Sequence, residues 1–159
     1  MKNANIKQFT NGFVAVLKLN DGKLIETTST CLPGQTEIRL TGNPTNKVDF
    51  NQFSVENWKE KWTVGLSTQT GCPIKCKFCA VNRLTESQGW RNLTVGEMLS
   101  QFIHAITEAQ KINGNLDPKD SEIFRVLFTR MGEPSLNIDN VIETIKTIKS
   151  WYPNARIQI

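Results

Sequence analysis

Strand-forming residues crowd the stretch Phe13-Val14-Ala15-Val16-Leu17-Lys18-Leu19, Asp21-Gly22 follows as a tight turn, and Leu24 to Thr30 is a second such stretch with Ile and Thr. This predicts a β-hairpin. From Leu32 to Lys61 turn-forming and polar residues multiply (Pro33-Gly34, Gly42-Asn43-Pro44, Asn46), which reads as a linker or insertion with one strand at Glu37 to Leu40. Beyond it the pattern changes to alternating strand and helix. Val64 to Thr68 is a short strand, and Thr94 with Glu97 forms a capping box that opens a helix. In that helix Met98, Phe102, Ile106 and Ala109 recur at helical spacing up to Gly114. Ile123 to Thr129 is a continuous apolar run suited to a buried parallel strand. Ile138, Val141, Ile142, Ile145, Ile148 and Trp151 mark a second helix stopped by Pro153, and Arg156 to Ile159 begins a third strand.

The order β-α-β-α-β implies parallel strands joined by right-handed crossovers, an α/β fold class. Three parallel strands with two helices cannot cover both faces of a sheet, so the pattern predicts the first part of a larger α/β barrel or open sheet, apparently truncated at Ile159. The expected organisation is a hairpin region over 1–31, a linker or insertion over 32–61 and the α/β core over 62–159.

The length of 159 residues fits one domain or a domain plus an appendage. With 38% hydrophobic and 21% charged residues and no repetitive tract, disorder, collagen and coiled coil are poor fits. The longest apolar run, Phe13 to Leu17, is far short of a membrane span, and no secretory signal opens the chain, so the reading is a soluble cytoplasmic protein with no membrane partner. The net charge of +4 comes entirely from residues 1–80. It is compatible with an RNA partner, but many ordinary soluble domains carry as much, and charge alone favours the ordinary surface.

Three of the four cysteines stand in Gly71-Cys72-Pro73-Ile74-Lys75-Cys76-Lys77-Phe78-Cys79, a Cys-x-x-x-Cys-x-x-Cys spacing directly after a predicted strand. Neighbouring cysteines in an unexported chain suit metal ligation or redox chemistry better than structural disulfides. A [4Fe–4S] cluster held by Cys72, Cys76 and Cys79 leaves one iron without a protein ligand, and an open position is where metal chemistry happens. Such an iron can chelate S-adenosylmethionine, and electron transfer to the sulfonium then gives a 5′-deoxyadenosyl radical. The competing reading is a structural zinc site, whose fourth ligand would have to be the distant Cys31 or His104. Cys31 otherwise reads as a small buried apolar residue, and His104 as a helix residue without a partner.

This spacing resembles the radical S-adenosylmethionine superfamily. The stretches Ser67 to Cys72 and Phe78-Cys79-Ala80, then Arg91-Asn92-Leu93-Thr94 with Glu97, then Met131-Gly132-Glu133-Pro134 and Leu136-Asn137 narrow it to the RNA methyltransferases that modify adenine C2 in ribosomal and transfer RNA, with relatives acting at C8. The hairpin Leu19-Asn20-Asp21-Gly22 to Leu24-Ile25-Glu26-Thr27 is similar to the segment before their barrel. The resemblance covers roughly residues 13–30 and 64–140. It implies the N-terminal part of a partial (β/α) barrel, a [4Fe–4S] cluster, S-adenosylmethionine, an RNA substrate and an electron donor such as flavodoxin or ferredoxin. Phe78 would offer a surface to the cofactor's adenine or pack the loop. Gly132 would let the backbone approach a ligand, and Glu133 would accept hydrogen bonds from the cofactor's ammonium; alone, Gly-Glu-Pro is also a plain turn. Glu26 matches a position regarded as an acid/base residue, though an exposed Glu on a hairpin needs no function.

Two departures from the family stand out. Seven positions before its first cluster Cys the family has a Cys that helps resolve an RNA adduct, and here Gly65 stands in that place. The family's methyl-carrying Cys belongs to the C-terminal part of the barrel, beyond Ile159. Three functions therefore compete: an RNA adenine methyltransferase, a radical S-adenosylmethionine enzyme with a non-RNA substrate, and a truncated cluster-binding protein without turnover.

Overall fold

The predicted hairpin forms and gains a third member. In the computed structural model, which describes residues 1–31 and 55–159, β1 (Lys2–Phe9), β2 (Gly12–Lys18) and β3 (Leu24–Cys31) run antiparallel. β2 alternates buried and half-exposed residues over 13–17, as a one-sided sheet requires, and β3 does so except at Thr27, Thr28 and Ser29, which are all buried. β1 is exposed along nearly its whole length and is held by its ladder to β2. Without an apolar stripe it gave no periodic signal.

The strands of the hairpin region and those of the α/β core hydrogen-bond into one six-stranded sheet in the order β1 to β6. β4 (Lys61–Gly65) pairs antiparallel with β3, while β5 (Ile123–Leu127) and β6 (Arg156–Gln158) continue parallel to β4. The parallel order expected for these three strands is thus present. All five residues of β4 are buried, which suits a central strand. A short helix α1 (Val55–Glu60) leads into it, so the expected linker ends in regular structure. The rest of that stretch, with the strand expected at 37–40, lies outside the described residues.

Three further helices follow: α2 (Val81–Gln88), α3 (Val95–Gln110) and α4 (Ile138–Trp151). The capping box of α3 is present in full, with Glu97 N–H donating to Thr94 Oγ1 and Thr94 N–H to the Glu97 carboxylate. The helix ends four residues before Gly114, whose φ of +73° completes the turn. α3 lies against β3 and β4 and packs on α4. Its Met98, Phe102, Ala105, Ile106 and Ala109 enter the core, as the spacing predicts. Between these layers Trp62, Phe124, Phe102 and Tyr152 form an aromatic cluster with centroids 5.5–6.2 Å apart, edge-to-face except for the tilted Phe102–Phe124 pair. The indole N–H of Trp62 is satisfied by Ser29 Oγ at 2.7 Å. Among the described residues no helix is long and apolar enough to cross a membrane.

Candidate cluster and cofactor site at the strand ends

β4 ends at Gly65, earlier than the strand expected to reach Thr68, because residues 67–70 turn to other partners. Leu66 N–H still bonds Leu127 O, but Thr68 and Gln69 N–H both turn to Met131 O, at 2.8 and 3.2 Å. Thr70 N–H bonds Arg91 O, and Leu93 N–H bonds Thr68 O. The polar run Ser67-Thr68-Gln69-Thr70 is completely buried. Such burial is tolerable only because these groups have partners. Asn137 Nδ2 donates to both Thr68 O and Leu93 O at 2.9 Å, and Gln101 spans Ser67 with its amide. This knot forms the floor of the site.

Gln69 is its centre. Its Nε2 donates to Asn92 Oδ1 at 2.8 Å and its Oε1 accepts the Glu133 N–H at 2.9 Å. Gly132 has φ +95°, and a Cβ there would fall 2.6 Å from Gln69 Cβ. Gly132 therefore permits a close approach to Gln69. Glu133 is half-buried and its Oε1 accepts the Ser135 N–H at 3.1 Å, capping the 3-10 turn Pro134–Asn137. Gly132 and Glu133 thus stand just beyond the C-terminal end of β5, beside the segment that leads out of β4.

That segment becomes the cysteine loop. Gly71 sits where a Cβ would meet Gly89 O and Thr85 Oγ1, each at 2.8 Å. Cys72 N–H donates to Thr85 Oγ1 at 2.9 Å, and Thr85 in turn donates to Val81 O, which ties the loop to α2. Cys79 N–H closes a turn on Cys76 O at 2.9 Å, and Asn82 Nδ2 donates to the same carbonyl. Cys76 is exposed, Cys72 and Cys79 are half-exposed, and none is in a disulfide. The three thiols stand apart: among the described residues no group of three or more His, Cys, Asp and Glu side chains is drawn together to hold a metal. The donor set itself suits an iron–sulfur cluster, being three thiols on one accessible loop. Neither candidate fourth ligand for zinc belongs to this loop. Cys31 lies buried in β3, where burial pushes its thiol up to about 11, and His104 is on α3, its imidazole pKa lowered by burial. Phe78 is 93% exposed, so it does not pack the loop.

Arg91 braces the opposite side. Its guanidinium meets Glu97 through two bonds of 2.7 and 2.9 Å and Asp21 through Nε at 2.7 Å, joining the β2–β3 turn to the start of α3. These bonds hold both carboxyls below the usual carboxylate range. Glu26 is not beside the cysteines in the hydrogen-bond network; it pairs with Arg130, whose Nε lies 2.9 Å from Glu26 Oε1. Sequence reasoning included Gln69 and Asn137 in the stretches that carry the resemblance but gave them no role, and it passed over Arg130. The signal for the first was present in four consecutive polar residues at the end of an apolar strand.

No family model matches the chain. A probable dual-specificity RNA methyltransferase RlmN of Dictyoglomus turgidum is 36% identical over 134 residues, covering 80% of this chain and 35% of that protein. Its counterpart in Thermosipho melanesiensis is 44% identical over 86 residues, 54% of this chain and 22% of the relative. Among solved structures, a radical SAM methyltransferase from Sphaerobacter thermophilus superposes with a TM-score of 0.65 at 22% identity, over 93% of this chain and 33% of that one. The chain thus spans between about a fifth and a third of the length of the proteins it matches. Over the stretch they share, this chain is similar in sequence to the dual-specificity RNA methyltransferases RlmN and has the α/β fold of a radical SAM methyltransferase.

Proposed function

We propose that this chain is the cluster- and cofactor-binding portion of a radical S-adenosylmethionine enzyme acting on RNA. In this reading β4 to β6 with α3 and α4 are the opening units of a partial (β/α) barrel over 62–159, whose strands deliver their chemistry at their C-terminal ends. Residues 1–31 are its β-stranded accessory region.

One observation carries the reading: Gln69 joins the two motifs that the chemistry needs. Through its hydrogen bond with Glu133 and the tight fit on Gly132, the Gly-Glu-Pro turn after β5 is locked to the segment that starts the cysteine loop after β4. The residues that would hold a [4Fe–4S] cluster are Cys72, Cys76 and Cys79, on a loop whose base is fixed by Thr85. When bound, the cluster and S-adenosylmethionine together supply reductive cleavage of a carbon–sulfur bond, with electrons from a donor such as flavodoxin or ferredoxin. The protein's part is to position. Glu133, half-buried and oriented by Ser135, offers its carboxylate to the cofactor's ammonium. Gly132 keeps the backbone flat against Gln69, and Phe78 presents an exposed aromatic face to the adenine. The RNA substrate is inferred from the relatives, which are named RNA methyltransferases. Gly65 favours a second reading, in which the same site serves a reaction that needs no thiol relay.

The test is anaerobic reconstitution with iron and sulfide. A brown, air-sensitive [4Fe–4S] chromophore is expected, abolished by Cys72→Ala, Cys76→Ala or Cys79→Ala and kept in Cys31→Ala. Glu133→Ala should weaken S-adenosylmethionine binding while leaving cluster assembly intact. Stoichiometric zinc without iron after anaerobic purification, together with failure to reconstitute, would overturn the reading.

A further inference from the structure

Gly65 closes β4 and is buried, and its φ lies outside the left-handed region, so the backbone itself does not call for glycine. Space does. A Cβ at this position would meet Thr28 Oγ1 at 2.5 Å, Arg130 Cδ at 2.7 Å and Arg130 Cγ at 3.1 Å. Thr28 is the residue directly opposite in β3, and its hydroxyl can turn away about χ1. The Arg130 arm is held at both ends. Its backbone N–H bonds Leu66 O at 3.1 Å, which fixes its Cα beside the residue that follows Gly65. Its guanidinium is bound by Nε, at 2.9 Å, and by Nη2 to the same oxygen of Glu26. Glu26 stands two residues before Thr28 on β3 and so faces the same side of the sheet. Its own carbonyl accepts the Ser67 hydroxyl at 2.6 Å. Gly65, Arg130 and Glu26 are therefore one packed unit at the strand ends, drawn from β4, the segment after β5, and β3.

We propose that the Arg130 side chain occupies the place that a thiol at position 65 would take and shields that position. The methylenes of Arg130 fill the ground over Gly65, Glu26 tethers the head, and the site presents a guanidinium–carboxylate pair where the resembled family presents a sulfur nucleophile. The identification of position 65 with that thiol rests on the radical S-adenosylmethionine reading; the packing does not. Two consequences follow for chemistry. The chain offers no thiol at position 65 to resolve a covalent RNA adduct. Glu26 holds Arg130 through Oε1 and is its positioning residue. A thiol introduced at position 65 therefore stays shielded until the arginine arm is shortened.

The experiment compares Gly65→Cys, Arg130→Ala and the double variant in the full chain, without cluster or cofactor. Iodoacetamide labelling of the peptide that contains position 65 is followed by mass spectrometry. The introduced thiol should be alkylated roughly tenfold faster in the double variant than in Gly65→Cys alone, the size of effect expected of residues in direct contact. Thermal melts of Gly65→Ala with and without Arg130→Ala give a second measure that needs no thiol. The loss of melting temperature caused by Gly65→Ala should shrink when Arg130 is already alanine. Equal labelling rates together with additive melting shifts would overturn the proposal. Should Gly65→Cys fail to fold, the melts of the alanine pair decide. Because every readout is taken on the unloaded chain, failure of the cluster to assemble would strike the proposed function and leave these rates and melts to stand or fall by themselves.

Discussion

Gln69 Oε1 accepts the backbone N–H of Glu133 at 2.9 Å, so one fully buried side chain connects the segment that leads into the cysteine loop with the Gly-Glu-Pro turn 64 residues further along. The other end of the same amide donates to Asn92, which itself donates to Leu136 O at 2.8 Å. The relationship makes Gln69 the piece on which the geometry of both motifs depends.

Gln69→Ala removes a donor and an acceptor at once and leaves the Glu133 N–H and Asn92 Oδ1 without their partners. Stranded polar groups in a buried setting cost more than the bonds were worth, so a loss of about 1–3 kcal/mol is expected in urea denaturation. S-adenosylmethionine binding should weaken with it, since the turn carrying Glu133 is no longer held. Unchanged stability would mean that the turn keeps its shape without this bond.

Arg91 links acid stability to the bracing of the site. Asp21 and Glu97 both titrate below their ordinary values, chiefly through the hydrogen bonds Arg91 donates to them. The unfolded chain then binds these protons more tightly than the folded one. Their contribution is present above the unfolded values near about 4 and is lost as pH falls through the lower folded values. Arg91→Ala should cost about 1 kcal/mol at neutral pH, a modest figure because the three side chains are partly solvated. It should also flatten the decline in stability below pH about 4. Denaturation curves for parent and variant across the acid range check both; parallel acid declines would remove Arg91 from the account.

Cys31 gives the alkaline counterpart. Burial raises its thiol from an ordinary 9.0 to about 11. The folded chain binds this proton more tightly, so the stability it contributes is complete below about 9 and is lost as pH rises toward about 11. Cys31→Ala should remove that share of the alkaline slope, whatever its cost at neutral pH. The same burial predicts slow alkylation of Cys31 against rapid reaction of the exposed Cys76 in the unloaded chain. Comparable labelling of the two would contradict the packing around β3.

The amino-acid pattern by itself determined the helices α3 and α4, the cap at Thr94, the parallel strands and the cysteine loop. Each is encoded locally, by an apolar stripe at helical spacing, a capping box, a continuous apolar run or a nine-residue motif. Local encoding also explains the misses. β1, with Lys2, Asn3, Asn5, Lys7 and Gln8 and only Ile6 half-buried, exists because β2 offers an edge to pair with, and no side-chain pattern announces that. The expected strand to Thr68 overran because hydrophobicity does not reveal where a backbone changes partners, and here the change from Leu127 to Met131 and Arg91 comes right after Leu66. Tertiary structure alone decided that Gln69 meets Glu133, that Gly132 is glycine for the sake of Gln69, and that Arg130 lies over Gly65 with Glu26 as its tether. These are contacts between residues 63 to 104 positions apart. Their geometry depends on how β3, β4 and β5 stand side by side in one sheet, which spacing along the chain does not contain.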